Sequence, residues 1–97
     1  MVARNIVWLV AALSDKECLL DYIAERSPIA ALGIDAQIEQ QASQLLSYPY
    51  LGRKGRIENT FELVISRTPY LVAYRIYDNE VQILHVFHER RNWPLVN

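Results

Sequence analysis

The chain has 97 residues, 52% of them hydrophobic and 22% charged, and a formal net charge of −1. That length makes one domain, 1–97, near the lower end of the usual range, and the hydrophobic fraction supplies a compact core, which argues against disorder. The near-zero balance is weak for a dedicated nucleic-acid binder, and no run approaches the roughly 20 apolar residues that span a bilayer.

The charge is uneven along the chain. Residues 1–50 hold three basic and six acidic groups; residues 51–97 hold seven basic and five acidic. Any affinity for an anionic partner therefore belongs to the second half. Cys18 is the single cysteine, so no disulfide closes within the chain and a reduced, cytosolic setting fits. Cys18 is expected as a small buried hydrophobe on a helix. The apolar stretch Ile6 to Leu13 is followed at once by Asp15, Lys16 and Glu17, with no cleavage-like segment, and does not read as a secretory signal.

Asn5 to Val10, centred on Trp8, reads as a first strand buried on both faces. Ser14 and Asp15 offer one start for a helix and Ala11 an earlier one. Ala12, Leu19 and Ile23 share a face, with Asp15, Lys16, Glu25 and Arg26 on the wet side, so the first helix is expected over roughly 11–26. Ser27-Pro28 starts a second helix, with Ser27 as cap and Pro28 where its missing N–H costs nothing. Ala31, Ile34, Ile38, Ala42 and Leu45 recur at three or four residues and carry that helix over about 28–46. One or two residues join the helices, so they should form an antiparallel hairpin. Gly33 weakens the second helix by about 1 kcal/mol relative to alanine; a close helix–helix approach would account for it.

Tyr48-Pro49-Tyr50-Leu51-Gly52 ends the helix and opens a loop, in which Gly52 and Gly55 bracket Arg53 and Lys54. Phe61 to Ile65 is a strand candidate and Arg67-Thr68-Pro69 a turn. Residues 69–88 then hold two runs of Val, Ile, Tyr and Phe around Asp78-Asn79, the pattern of a β-hairpin with a two-residue turn. Tyr70 and Tyr74 share one strand face and Tyr77 takes the other; core packing is their expected role. The fold class is α+β: an N-terminal strand, an antiparallel helix hairpin, then a three-stranded antiparallel meander, with the helices packed on one sheet face. Polar, titratable and aromatic groups gather where the second hairpin strand ends, at His88 to Pro94. That end and the segment Gly52 to Arg56 are the expected working surfaces.

The order of elements and motifs resembles the RelE/ParE superfamily, the toxins of type II toxin–antitoxin (plasmid stabilisation) modules. Trp8, Ala12, Asp15, Leu19, Tyr22 and Ile23 resemble its opening strand and first helix. Ser27 to Ala31 resembles the start of its second helix. Leu45 to Pro49 followed by Gly52-Arg53-Lys54-Gly55-Arg56 resembles its "fP.lGR.GR" loop. Glu62-Leu63-Val64 and Pro69 to Arg75 resemble its "REL…PY.V.Y" strands, and Val81 to His88 with Trp93-Pro94 its closing "V.I..V.H….WP". The likeness covers nearly the whole chain. Two departures stand out: Phe61 replaces the arginine of the family's Gly-Thr-Arg-Glu-Leu, and Leu71 stands where some RNA-cleaving relatives carry an arginine.

The resemblance implies a bacterial toxin that arrests growth of its own cell and is neutralised by a cognate antitoxin. No membrane, cofactor or metal is implied, and His85 and His88 fall on opposite faces of an ideal strand, so they do not pair on one ion. Two mechanisms follow. One is a non-enzymatic poison of DNA gyrase, favoured by Phe61 and Leu71. The other is a ribosome-dependent mRNA endoribonuclease (an mRNA interferase). In that case His88 would serve as acid or base, Glu62 as a base, and Arg56, Arg75 or Arg90 as the group that stabilises the phosphorane. Against this, His88 reads more readily as a strand terminus bonded locally. Arg53, Lys54, Arg56, Arg90, Arg91 and Trp93 are the candidates for holding phosphate or an acidic target. Trp93-Pro94 also reads as an anchor that folds back the tail.

Overall fold

The computed structural model describes residues 2–91, so Trp93 and Pro94 lie outside the described residues. The elements are β1 (Asn5–Trp8), α1 (Val10–Ala24), α2 (Pro28–Ser43), a 3-10 turn (Gln44–Leu46), β2 (Arg53–Lys54), β3 (Phe61–Val64), β4 (Tyr70–Tyr77) and β5 (Glu80–His88). The sheet runs β1-β5-β4-β3-β2, with β1 parallel to β5 and the other pairs antiparallel. The chain is α+β, as the sequence indicates. Among the described residues no helix is long and apolar enough to cross a membrane.

The β4–β5 hairpin is the spine. Asp78 (φ 52°) and Asn79 (φ 61°) both take left-handed backbone, the requirement of a type I′ turn whose twist matches the flanking strands. Along β4 the side chains alternate. Val72 and Tyr74 join the main core with Ile76 packed against it, while Leu71 and Ala73 form a second cluster with Phe87. The main core also takes Ile38, Ala42 and Leu45 from the helical side, so the helices cover the even-numbered face of β4.

One bulge sets the faces of β5. Ala73 pairs with His85 but Tyr74 pairs with Ile83, so Leu84 is an extra residue. Ile83 and Val86 both enter the helix-side core, although they are three apart. His88, opposite Tyr70, is thereby placed on the helix side.

Helix α2 starts where Ser27-Pro28 indicates: the Ser27 hydroxyl accepts the Ala30 N–H at 3.1 Å. Helix α1 starts at Val10 with no side-chain cap. It leaves β1 directly, the Leu9 N–H still bonded to the Ile83 carbonyl and the Leu9 carbonyl already accepting from Leu13.

Several expectations need correction. Cys18 is exposed, because it is turned about 100° from Leu19, the residue that meets the core. Gly33 has nothing within 4 Å of where a Cβ would stand, so no close helix approach requires it. Lys16 is not on the wet side: its ammonium lies 4.9 Å from the Trp8 ring centre and ion-pairs with Asp35 (3.2 Å) and Glu39 of α2. Burial lowers the Lys16 pKa, but the hydrogen bonds to Glu39 and Asp35 outweigh it and leave the group above its usual range. Arg53-Lys54, read as loop, forms a short edge strand on β3. Charged residues suit such an edge, and Arg53 stands directly across from Glu62.

Candidate functional site

The basic loop is built around two buried side chains. Tyr74 lies in the core, and its hydroxyl donates to the Pro49 carbonyl at 2.8 Å and accepts the Gly52 N–H at 2.9 Å. Burial pushes its pKa up, opposed by the Gly52 hydrogen bond. A Cβ on Gly52 would stand 2.8 Å from the Tyr74 hydroxyl, and one on Gly55 2.9 Å from the Thr60 carbonyl. Both glycines of the loop are therefore required by close approach. Phe61, in place of the family's arginine, stacks on Tyr74 (5.4 Å between centroids) and meets Tyr50 edge-on at 5.6 Å. It is a packing residue.

Glu62 is the second buried centre, 2% exposed. One oxygen takes the Arg53 guanidinium at 3.3 Å; the other takes the Arg56 backbone N–H at 3.1 Å and lies 3.6 Å from the Arg56 side chain. Both oxygens are thus committed to holding the loop. Arg56 continues across the second sheet face, over the Phe87 ring at 5.7 Å and to the Arg91 carbonyl at 3.4 Å. Leu71, 1% exposed, joins Phe87 and Ala73 on that face. The two positions where relatives carry arginine are thus both apolar contacts here.

The other polar group lies at the far end of β5. A cleft of about 460 Å³ opens there between α1 and the β4–β5 ends, lined by Cys18, Tyr22, Tyr70, His88 and Arg91 among others. His88 packs edge-on to Tyr70 at 5.6 Å, and its Nδ1 accepts the Arg90 backbone N–H at 3.1 Å. Asp15, expected on the wet side, shapes the same cleft. Its carboxylate accepts the Val86 N–H at 3.1 Å and meets His85 Nδ1 at 2.8 Å. The signal for Asp15 is indirect. Four-residue β1 cannot cover nine-residue β5, and the edge N–H beyond Trp8 needs another acceptor.

The sequence candidates therefore do not form one constellation. His88 lies on the helix side. Glu62 and Arg56 lie on the opposite face. Arg75 is exposed and donates to Gln82 at 2.6 Å, near the hairpin turn. Arg53, Lys54, Arg90 and Arg91 are exposed, on the loop and at the end of β5. Trp93 is outside the described residues.

Residues 6–93 match the family model for the ParE toxin of type II toxin–antitoxin systems, parDE. The chain is 38% identical over 96 residues to the toxin-named protein Y4kP of Sinorhizobium fredii, covering 99% of both chains. It is 31% identical over 87 residues to Toxin RelE2 of Caulobacter vibrioides, covering 90% of this chain and 97% of that one. Among solved structures it resembles a chain of the chromosomal ParDE system of P. aeruginosa (TM-score 0.78, 24% identity, 87% of this chain and 94% of the other). It also resembles one from the RelBE2 toxin–antitoxin complex of Mycobacterium tuberculosis (TM-score 0.57, 25% identity, 91% and 93%).

Proposed function

Since the chain belongs to the ParE toxin family of type II toxin–antitoxin systems, we propose that it arrests growth by binding and trapping DNA gyrase in the cytoplasm, without chemistry of its own. The observation that carries this reading is the dispersal of the groups RNA cleavage would need. A base, an acid and a cation must straddle one phosphate within hydrogen-bond reach. Here Glu62 is committed to two arginines, His88 faces the helices, and Arg75 is bonded to Gln82. A binding poison requires only a complementary surface, and the exposed arginines of the second half supply one for an acidic or nucleic-acid-bound target. A cognate antitoxin, the partner in both solved systems that the chain resembles, would hold it inactive.

The test is direct. Purified chain added to gyrase, supercoiled DNA and ATP should accumulate protein-linked linear DNA. Removing the chain from Glu89 onward should weaken this effect. Unchanged supercoiling at excess toxin, with codon-proximal cleavage of ribosome-bound mRNA, would transfer the function to the endoribonuclease mechanism.

A further inference from the structure

Arg53 and Lys54 stand on β2, at one edge of the sheet, and Arg90 and Arg91 follow β5. In the sheet β3 and β4 lie between these two basic segments. At about 4.8 Å per strand, hydrogen bonds between neighbouring strands do not hold them together. The Arg56 side chain makes the crossing. Its root is fixed, because its backbone N–H donates to Oε2 of the buried Glu62 at 3.1 Å. Its Nε lies 3.6 Å from the same oxygen, its guanidinium lies over the Phe87 ring at 5.7 Å, and its Nη1 donates to the Arg91 carbonyl at 3.4 Å. The other bonds of the β5 end are local to the hairpin. Glu89 N–H donates to the Pro69 carbonyl at 2.7 Å, Arg90 N–H to His88 Nδ1 at 3.1 Å and Arg91 N–H to the His88 carbonyl at 2.9 Å. None of these reaches the loop. A guanidinium suits the span, since its planar fork serves a carboxylate and a carbonyl at once while covering a ring, and an ammonium, a single point charge, does not.

We propose that Arg56 is a positioning residue. It straps the Glu89–Arg91 segment to the basic loop, so that Arg53, Lys54, Arg90 and Arg91 meet an anionic target as one composite surface. The proposal rests on the reading of these arginines as target-facing. Sequence alone offers Arg56 as a group that holds phosphate, but its Nε and Nη1 are turned to the protein. Its contribution is then to the free chain: cations already held in place lose less freedom when the target binds. Glu62 anchors the strap, Phe87 supports it and the Arg91 carbonyl ends it.

Amide hydrogen exchange on the free full chain, paired with growth arrest on induction, tests this. Arg56→Lys keeps the charge and the backbone bond to Glu62. It should speed exchange at Arg90 and Arg91 by about fivefold or more, the size of one net hydrogen bond. The Gly55 and Arg56 amides, bonded to Thr60 and Glu62, should exchange as in the wild type. Growth arrest should weaken although the charge is retained. Phe87→Leu, which takes away only the ring beneath the cation, should act in the same direction and serves if Arg56→Lys melts early. In a full chain carrying Arg90→Ala and Arg91→Ala, adding Arg56→Lys should cost little further activity. Unchanged exchange at Arg90 and Arg91, full growth arrest by Arg56→Lys, or losses that add in the triple variant would each overturn the proposal; additive losses would make Arg56 a direct contact to the target. If the wild type leaves gyrase unaffected, the gyrase reading fails by itself, and exchange with growth arrest still decides the role of Arg56.

Discussion

Glu62 and His88 occupy opposite faces of one sheet, and their surroundings differ as much as their positions. Glu62 is 2% exposed, and both oxygens are held by the loop that crosses it. His88 is half-buried at a strand end, with one ring contact and one local backbone hydrogen bond. A carboxylate so committed braces the arginines that present the basic surface. A histidine so lightly tied can be removed with little consequence for the fold. The difference separates a residue whose loss disturbs the basic loop from one whose loss tests chemistry alone.

Four substitutions or conditions probe that comparison. Glu62→Ala should have the largest effect. Breaking a buried ion pair typically costs about 3–5 kcal/mol, and the arginine partners are partly exposed, so about 2–3 kcal/mol is expected here. Urea unfolding at neutral pH would measure it, and protease sensitivity of residues 53–60 should rise in parallel. Tyr74→Phe comes next. It strands the Pro49 carbonyl and the Gly52 N–H, at about 1–3 kcal/mol, and should loosen the same loop without touching Glu62.

Alkaline pH should act more weakly. Tyr74 is raised from its ordinary 10.0 by burial, against the Gly52 hydrogen bond. Lys16 is raised from 10.5 because its bonds to Glu39 and Asp35 outweigh burial. Each folded pKa exceeds its unfolded value, so the stability each contributes is complete below the unfolded pKa and is lost as pH rises through the folded one. The urea midpoint should hold steady through neutral pH and fall from about pH 10 upward, less steeply in Tyr74→Phe. His88→Ala should be the smallest, within about 0.5 kcal/mol, and should leave growth arrest intact. A loss of stability like that of Glu62→Ala would dissolve the contrast.

The sequence made the elements legible wherever the cause was local. Ser27-Pro28 marks the start of α2, and Asp78-Asn79 marks the hairpin turn, because caps and turns depend on neighbouring residues. What depends on distant partners was hidden. The Leu84 bulge puts Ile83 and Val86 on one face, and no alternation rule shows that. Arg53-Lys54 becomes a strand only because β3 lies beside it. Asp15 and Lys16 look like solvated residues until β5 and α2 arrive. Glu62 and His88 are both acid–base types with no local feature to tell a brace from a lightly tied side chain. Their dispersal became visible only with the two faces assigned.

The most direct test is a paired measurement in cells induced for the wild type and for His88→Ala, reading mRNA ends by primer extension and chromosomal double-strand breaks by pulsed-field electrophoresis. Trapped breaks should appear in both strains to similar extent, with transcripts intact. Rapid codon-proximal mRNA cleavage in the wild type, abolished by His88→Ala and without DNA breaks, would contradict the account and make His88 the acid or base of an endoribonuclease.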